Sequence, residues 1–463
     1  MRCTTILRLL SPLLLVGVAA CGGDDDDKSC DPIAETSSCD DGFVCEYVEA
    51  GEPACFTPLV IHGTVLDLSD DSAVAGAHIV ALDVNGAPVS SVAISEIDGS
   101  YDLGIPSTRT ADGVPMPLEL TLRADGAGYQ TFPSGLRQAL PIDTANPAEG
   151  GNRLVVASAL TDIGLIPLPD GFGTGTISGT VELPPNGAGV LVVAETAGSG
   201  VAAIANSGGD YTIFNVDVGN YAVTGYAQGV NYDGLSVDVA ADGNAEANLT
   251  LNDQAAGTVS GSVQIVNAFG GAATSVILAI ESTYDDTFGR GQTVPGLRAP
   301  EAGMAGNITG EYTIEGVPAG KYVALAAFED DLLVRDPDDS IGGTVTLHIE
   351  VSAGQTTQVD GFKVTEALEI LSPGANGAEE VAGTPVFTWV DDSSEDEYVV
   401  EVFDAFGESI WDTSIAGTSG TNPSVTYEGP ALVSGLYYQF RATSYKGSPL
   451  SRTEDLKGVF FIP

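Results

Sequence analysis

The chain has 463 residues, room for three to five domains at about 100–200 residues each. Its 16 Lys and Arg stand against 64 Asp and Glu, a formal net charge of −48; a surface this negative repels phosphate backbones and anionic lipid, which excludes a nucleic-acid partner and polybasic membrane attraction. With 58 Gly and 25 Pro but 43% apolar residues, it is loop-rich and neither collagen-like nor a disordered acidic tail.

The first 20 residues carry Arg2 and Arg8, an apolar stretch through Leu13, Leu14, Leu15 and Val16, and the small residues Ala19 and Ala20 directly before Cys21. Charge, apolar segment and small residues in that order make a secretory signal. No other apolar run approaches the roughly 18 residues that a membrane helix needs. Val18-Ala19-Ala20-Cys21 resembles the lipobox of bacterial lipoproteins, which implies diacylglycerol on the Cys21 sulfur and cleavage just before it; the alternative is ordinary signal cleavage with an incidental Cys. Gly22, rather than Asp, points in that family to the outer membrane. The expected address is the outer membrane or cell surface, with the N-terminal lipid as the membrane contact and residues 21–29 as a hydrated acidic tether.

Cys3 leaves with the signal, so Cys30, Cys39, Cys45 and Cys55 remain, all within 26 residues. An exported context permits disulfides, and two bridges are expected in any of three connectivities, stapling a segment too short for its own core. A zinc knot is the alternative, but the spacing lacks close C-x2-C pairs and no His lies nearby.

Three alternating segments with a central Gly follow: Ile61-His62-Gly63-Thr64-Val65, Ile177-Ser178-Gly179-Thr180-Val181 and Val259-Ser260-Gly261-Ser262-Val263. Each precedes a Gly-x-Tyr, at Gly99-Ser100-Tyr101, Gly209-Asp210-Tyr211 and Gly310-Glu311-Tyr312, and the last two recur at Gly219-Asn220-Tyr221 and Gly320-Lys321-Tyr322. Short Val, Ile, Thr and Tyr-rich runs lie between, with almost no 3.6-residue period, so the chain reads as all-β. A Gly inside a strand marks a bulge or close backbone approach, and a Tyr just after a turn returns the chain to the core.

These marks, most fully Gly63-Thr64-Val65, Val74-Ala75-Gly76-Ala77-His78-Ile79 and Ile97-Asp98-Gly99-Ser100-Tyr101, resemble the carboxypeptidase regulatory-like domain, a transthyretin-like β-sandwich. From Leu368 the texture changes. Val386-Phe387-Thr388-Trp389, Tyr398 to Phe403 and Leu432 through Ala442 resemble strands of a fibronectin type III domain, with Trp389 as core Trp and Tyr438 at the tyrosine corner. The expected order is a signal (1–20), tether (21–29), four-Cys module (30–57), carboxypeptidase regulatory-like sandwiches at 58–168, 174–252 and 256–365, and a fibronectin type III-like sandwich at 367–463. Short linkers predict a semi-rigid string of about four sandwiches with separate cores.

Chemistry is thinly supplied. The three His, His62, His78 and His348, sit in predicted strands without metal-ligand spacing, no Gly-x-Ser-x-Gly elbow occurs, and no thiol is left for catalysis. The resemblance is to the accessory domain of carboxypeptidases, so no enzyme and no cofactor are expected. Asp330, Asp331, Asp336, Asp338 and Asp339 form a candidate Ca²⁺ loop, or a solvated acidic turn around Arg335. The long loop from Thr283 to Asn307 carries Tyr284, Phe288, Arg290 and Arg298, aromatic plus Arg chemistry that suits a recognition surface as well as a mobile insertion. The expected function is a non-enzymatic, lipid-anchored surface protein, a structural spacer or a binding module for a protein or cell-envelope partner. The alternative is a carbohydrate-binding surface accessory; a row of exposed aromatics would favour it, whereas mutually buried Tyr and Trp would favour a scaffold.

Overall fold

A computed structural model describes residues 30–32, 39–83, 86–169, 175–187, 189–266, 274–286, 289–300, 310–328, 346–365, 367–392, 394–447, 449–454 and 456–463. Among them the chain is all-β, broken by a single 3-10 turn at Glu281–Thr283. A stapled hairpin comes first, Val44–Glu46 against Ala54–Phe56. Its bridges join Cys30 to Cys45 and Cys39 to Cys55, with Cα–Cα distances of 5.8 and 5.6 Å. Glu46 ties this hairpin to the first sandwich. It pairs with the buried guanidinium of Arg109, which also donates to the Thr57 carbonyl at 2.8 Å and lies over the Phe56 ring. Burial pushes the Glu46 carboxyl up from its ordinary range while Arg109 pulls it back.

Four sandwiches follow. In the first, Leu59–Asp67 runs antiparallel to Ser100–Ile105 and parallel to Leu154–Val156 and Ile163–Leu165. The facing sheet has the order Ala93–Ile94, His78–Leu82, Glu119–Asp125, Ile142–Asp143. The second sandwich repeats the plan: Gly175–Thr180 lies between Asp210–Val216 and Asn244–Glu246, opposite the sheet Ser199–Ile204, Leu191–Thr196, Gly219–Tyr226, Leu235–Val239. So does the third, with Gly257–Val266 and Gly310–Val317 opposite Thr293–Ala299, Thr274–Ile280, Gly320–Phe328 and Leu347–Val351. The fourth sets Ile370–Ser372, Val386–Trp389 and Ser424–Thr426 against a larger sheet centred on Tyr437–Tyr445 and Glu397–Asp404. Trp389 is fully buried there against Tyr398, and the Tyr438 hydroxyl accepts the Val433 amide at 2.9 Å.

The repeated Gly and Tyr are one device used three times. Gly63 lies directly across the ladder from Tyr101, Gly179 from Tyr211, and Gly261 from Tyr312. The missing Cβ leaves room for the close approach: a Cβ on Gly63 would strike the Thr161 carbonyl and the Tyr101 hydroxyl, one on Gly179 the Ala247 carbonyl, and one on Gly261 the Tyr312 ring. The Tyr101 and Tyr211 hydroxyls each donate to those carbonyls, of Thr161 and Ala247, at 2.6 Å. Burial accordingly raises both phenols, Tyr211 to about 12.

The sandwiches follow one another along the chain, but their cores are not the separate ones expected from the short linkers. In His78–Leu82, Ile79 and Ala81 enter the first core while Val80 joins a cluster built mainly from the third sandwich. In Leu191–Thr196, Val192 and Ala194 enter the second core while Leu191 and Val193 join that same cluster. Central strands with two apolar faces need cover on both, and neighbouring sandwiches supply it. The fourth sandwich docks back on the first. Arg137 donates to the Phe406 carbonyl at 2.8 Å and pairs with Glu408 at 3.2 Å, and the Gln138 amide donates to the Gly407 carbonyl at 3.3 Å.

Tyr211→Ala is expected to cost about 3–5 kcal/mol through the cavity it leaves, and Tyr211→Phe about 0.5–1.5 kcal/mol for the hydroxyl alone. Because the second and third sandwiches share buried residues, Tyr211→Ala should lower the melting of both together. Calorimetry that shifts one step and leaves the other in place would contradict the shared core.

Candidate binding cleft

Three sandwiches meet in a cleft of about 550 Å³. Its construction follows from the period of two along each strand. Glu119–Asp125 turns Leu120, Leu122 and Ala124 into the first core, which leaves Thr121, Arg123 and Asp125 to line the cleft. Asp210–Val216 buries Tyr211 and Ile213 and presents Thr212 and Phe214. The third sandwich contributes Ile277 and Leu325, from the outer face of its sheet, together with Asp285, Arg290, Gly291, Gln292 and Thr293.

Two side chains lock these walls together. Arg123, almost fully buried, holds Asp125 of its own strand at 2.8 Å, the Ala202 carbonyl of the second sandwich at 2.8 Å, and Gln292 of the third. Asp125 is also held by the Thr131 hydroxyl at 2.6 Å. Asn215, in the left-handed region at φ 56°, grips the 126–129 turn of the first sandwich: its amide donates to the carbonyls of Gly126 (2.9 Å) and Tyr129 (2.7 Å), and its oxygen accepts the Gly128 amide (2.7 Å). His78 packs edge-on against Phe214 at 4.9 Å across the same interface. One wall, the 133–139 loop, is the segment whose Arg137 and Gln138 hold the fourth sandwich, so that contact buttresses the cleft.

The candidate residues from the sequence fall in several places. Arg290 lines the cleft, Tyr284 packs on the buried cluster of Ile277, Ala279, Val323 and Leu325 behind it, and Arg298 sits on Thr293–Ala299. The stretch from Thr283 to Asn307 is therefore partly sheet. Its strand escaped sequence reading because Pro295-Gly296 interrupts the alternation, and the ladder bulges there. Cys21, Phe288 and Asp330, Asp331, Asp336, Asp338 and Asp339 lie outside the described residues. Among the described residues the one group with metal-ligand proximity is Cys30, Cys39 and Cys55, whose sulfurs are in disulfides rather than thiolates. His62 and His348 pair with Asp102 and Glu281 on different sandwiches. The clamps Arg123 and Asn215 were missed in the sequence, since nothing local marks them.

No protein-family model matches the chain, and no curated protein matches it in sequence. Solved structures that align with it include a DUF3823 family protein from Bacteroides uniformis (16% identity, TM-score 0.21, covering 44% of this chain and 99% of that one). The major pilin subunit of Bacillus cereus aligns at 11% identity and TM-score 0.18, covering 67% and 100%. A minor pilin of Streptococcus agalactiae aligns at 12% and 0.19, covering 43% and 97%. At identities and scores this low, the likenesses carry no argument about function.

Burial holds His78 below its ordinary pKa of 6.5, while Asp125, opposite it on the paired strand, opposes that shift. The unfolded imidazole takes up a proton below 6.5 that the docked one resists, so its contribution to stability is present above 6.5 and declines as pH falls below it. His78→Gln is expected to flatten this part of the acid limb of a stability–pH profile. A limb of unchanged steepness would mean that the interface does not sense His78.

Proposed function

We propose that the chain is a non-enzymatic, lipid-anchored cell-surface protein whose interlocked sandwiches present the three-walled cleft as a binding site for a protein or cell-envelope partner. The observation that carries this reading is the lock itself. A spacer gains reach by placing modules end to end, whereas here the first sandwich touches each of the other three, and Arg123 and Asn215 hold a concave surface at their junction. Concave, partly apolar sites at domain junctions are where ligands most often bind. The aromatics support a scaffold in the sandwich bodies: Tyr101, Tyr211, Tyr221, Tyr312, Tyr322 and Trp389 are all core residues, and among the described residues the exposed aromatics are Phe43 and Tyr47 of the stapled hairpin rather than a row along a sandwich face. Among the described residues no helix is long and apolar enough to cross a membrane, and the proposed attachment is the lipid on Cys21.

Two measurements test the reading. Cys21→Ser should move the protein from the membrane to the soluble fraction and abolish fatty-acid mass on the mature N-terminus; persistent sedimentation with membranes would remove the anchor. Thr121→Trp fills the cleft from a strand position that faces it. Capture of envelope components by the soluble mature chain should fall with Thr121→Trp and persist with Ile97→Ser, a change at a fully exposed turn. Equal capture by both variants would place the binding surface elsewhere.

A further inference from the structure

The stapled hairpin has two faces, and one of them is spent on the first sandwich. Side chains alternate along Val44–Glu46. Glu46 turns inward to Arg109, and Phe56, opposite Val44 on the paired strand, lies beneath the same guanidinium. Phe43, Cys45 and Tyr47 therefore belong to the outer face, where the two aromatics that flank Cys45 are 46% and 50% exposed. Cys55, directly across the ladder from Cys45, shares that face, so both bridges lie on it.

The route of the chain decides what meets this face. Cys45 is bridged to Cys30, with their Cα atoms 5.8 Å apart, so the segment that precedes Cys30 is joined to the molecule on the side that carries Phe43 and Tyr47. Each aromatic lies only about 7 Å from Cys45 along an extended strand. From Cys21 to Cys30 there are nine residues, at most about 30 Å of chain, and a lipid on Cys21 keeps the outer face of the hairpin within that distance of the bilayer. The segment itself has nothing to cover the rings with: Gly22 through Ser29 is Gly, Asp, Lys and Ser, without an apolar side chain. Charge does not draw lipid here either, since Asp40, Asp41, Glu49 and Glu52 are exposed around the hairpin and the whole chain is negative. Two half-exposed aromatics are too little to hold a free protein on a membrane. An anchor this short changes that, because it supplies lipid at an effective concentration of about the millimolar range, and aromatic rings suit the interfacial layer.

Taking the Cys21 anchor from the reading above, we infer that the outer face of the hairpin seats on the bilayer surface with the Phe43 and Tyr47 rings in the interfacial layer. The buried Glu46–Arg109 pair then carries this orientation into the first sandwich. The test places a hexahistidine tag where Cys21 stands in the mature chain and binds it to phosphatidylcholine vesicles doped with nickel-chelating lipid, with or without bromine on the acyl chains. Phe43→Trp and Tyr47→Trp should each add emission that falls about twofold on the brominated vesicles, as for a seat occupied about half of the time. Ile97→Trp is the control: it lies beside the Ser100 end of the ladder, whereas the hairpin joins at Leu59, the other end. Its added emission should be the same on both vesicles. All three positions are exposed, and melting should match that of the unsubstituted chain. The inference is overturned if bromine leaves the two hairpin variants unchanged, or if it quenches Ile97→Trp as strongly, which would mean that the chain lies on the membrane without a preferred face. Because the tag stands in for the lipid, these outcomes do not depend on Cys21: sedimentation with membranes that survives Cys21→Ser removes the anchor, whereas unquenched hairpin variants remove the seat alone and leave the face to a protein partner.

Discussion

The structure depends on covering the outer faces of the central strands. A lone antiparallel sandwich buries one face of each sheet and leaves the other to water. Here Val80, Leu191, Val193 and Ile204 lie on outer faces and are as deeply buried as core residues. Each such side chain is worth about 1.5–3 kcal/mol when fully covered, so the sandwiches gain far more by lying against one another than by extending along a line. Side-by-side packing, and with it the cleft, follows from that requirement.

Polar groups then decide how the apolar faces align. Apolar cover is non-directional and would tolerate many relative orientations. Arg123 and Asn215 remove that freedom because each must satisfy several donors or acceptors at once, and each reaches backbone carbonyls of a neighbouring sandwich. Backbone carbonyls are fixed by the ladders behind them, so a side chain that satisfies two or three sets the position of one sheet against another to within hydrogen-bond tolerance. The Arg137 contact with the 406–408 turn does the same for the fourth sandwich. A junction held this way keeps its shape without a ligand, which favours binding by reducing the ordering that a ligand would otherwise impose.

The stapled hairpin solves a different problem. It is too small to bury a core and instead uses two bridges and one buried ion pair. Arg109 has neutral acceptors besides Glu46, and its ring contact with Phe56 shields the pair from water. Breaking such a pair on one side only leaves an uncompensated charge indoors, so the contact enforces one orientation of hairpin on sandwich.

Much of the fold was legible in the sequence because its signals are local. The Gly and Tyr marks recur since each depends on a fixed cross-strand register, and the Trp389 and Tyr438 positions lie inside single strands or beside them. The disulfide pairing was not legible, because three connectivities satisfy the same spacing and only the hairpin, which sets Cys45 opposite Cys55 without joining them, selects one. Runs such as Val190 to Ala194 and Val276 to Ile280 did carry a hint of double burial in their unbroken apolar character, yet a run cannot say what covers its second face. The cleft was wholly beyond the sequence. Its wall residues come from strands more than 150 positions apart, from Thr121 to Leu325, and Thr121, Thr212 and Thr293 are ordinary strand residues until three sandwiches meet. Chain chemistry determined that sandwiches form; only their mutual packing decided which outer faces became an interior.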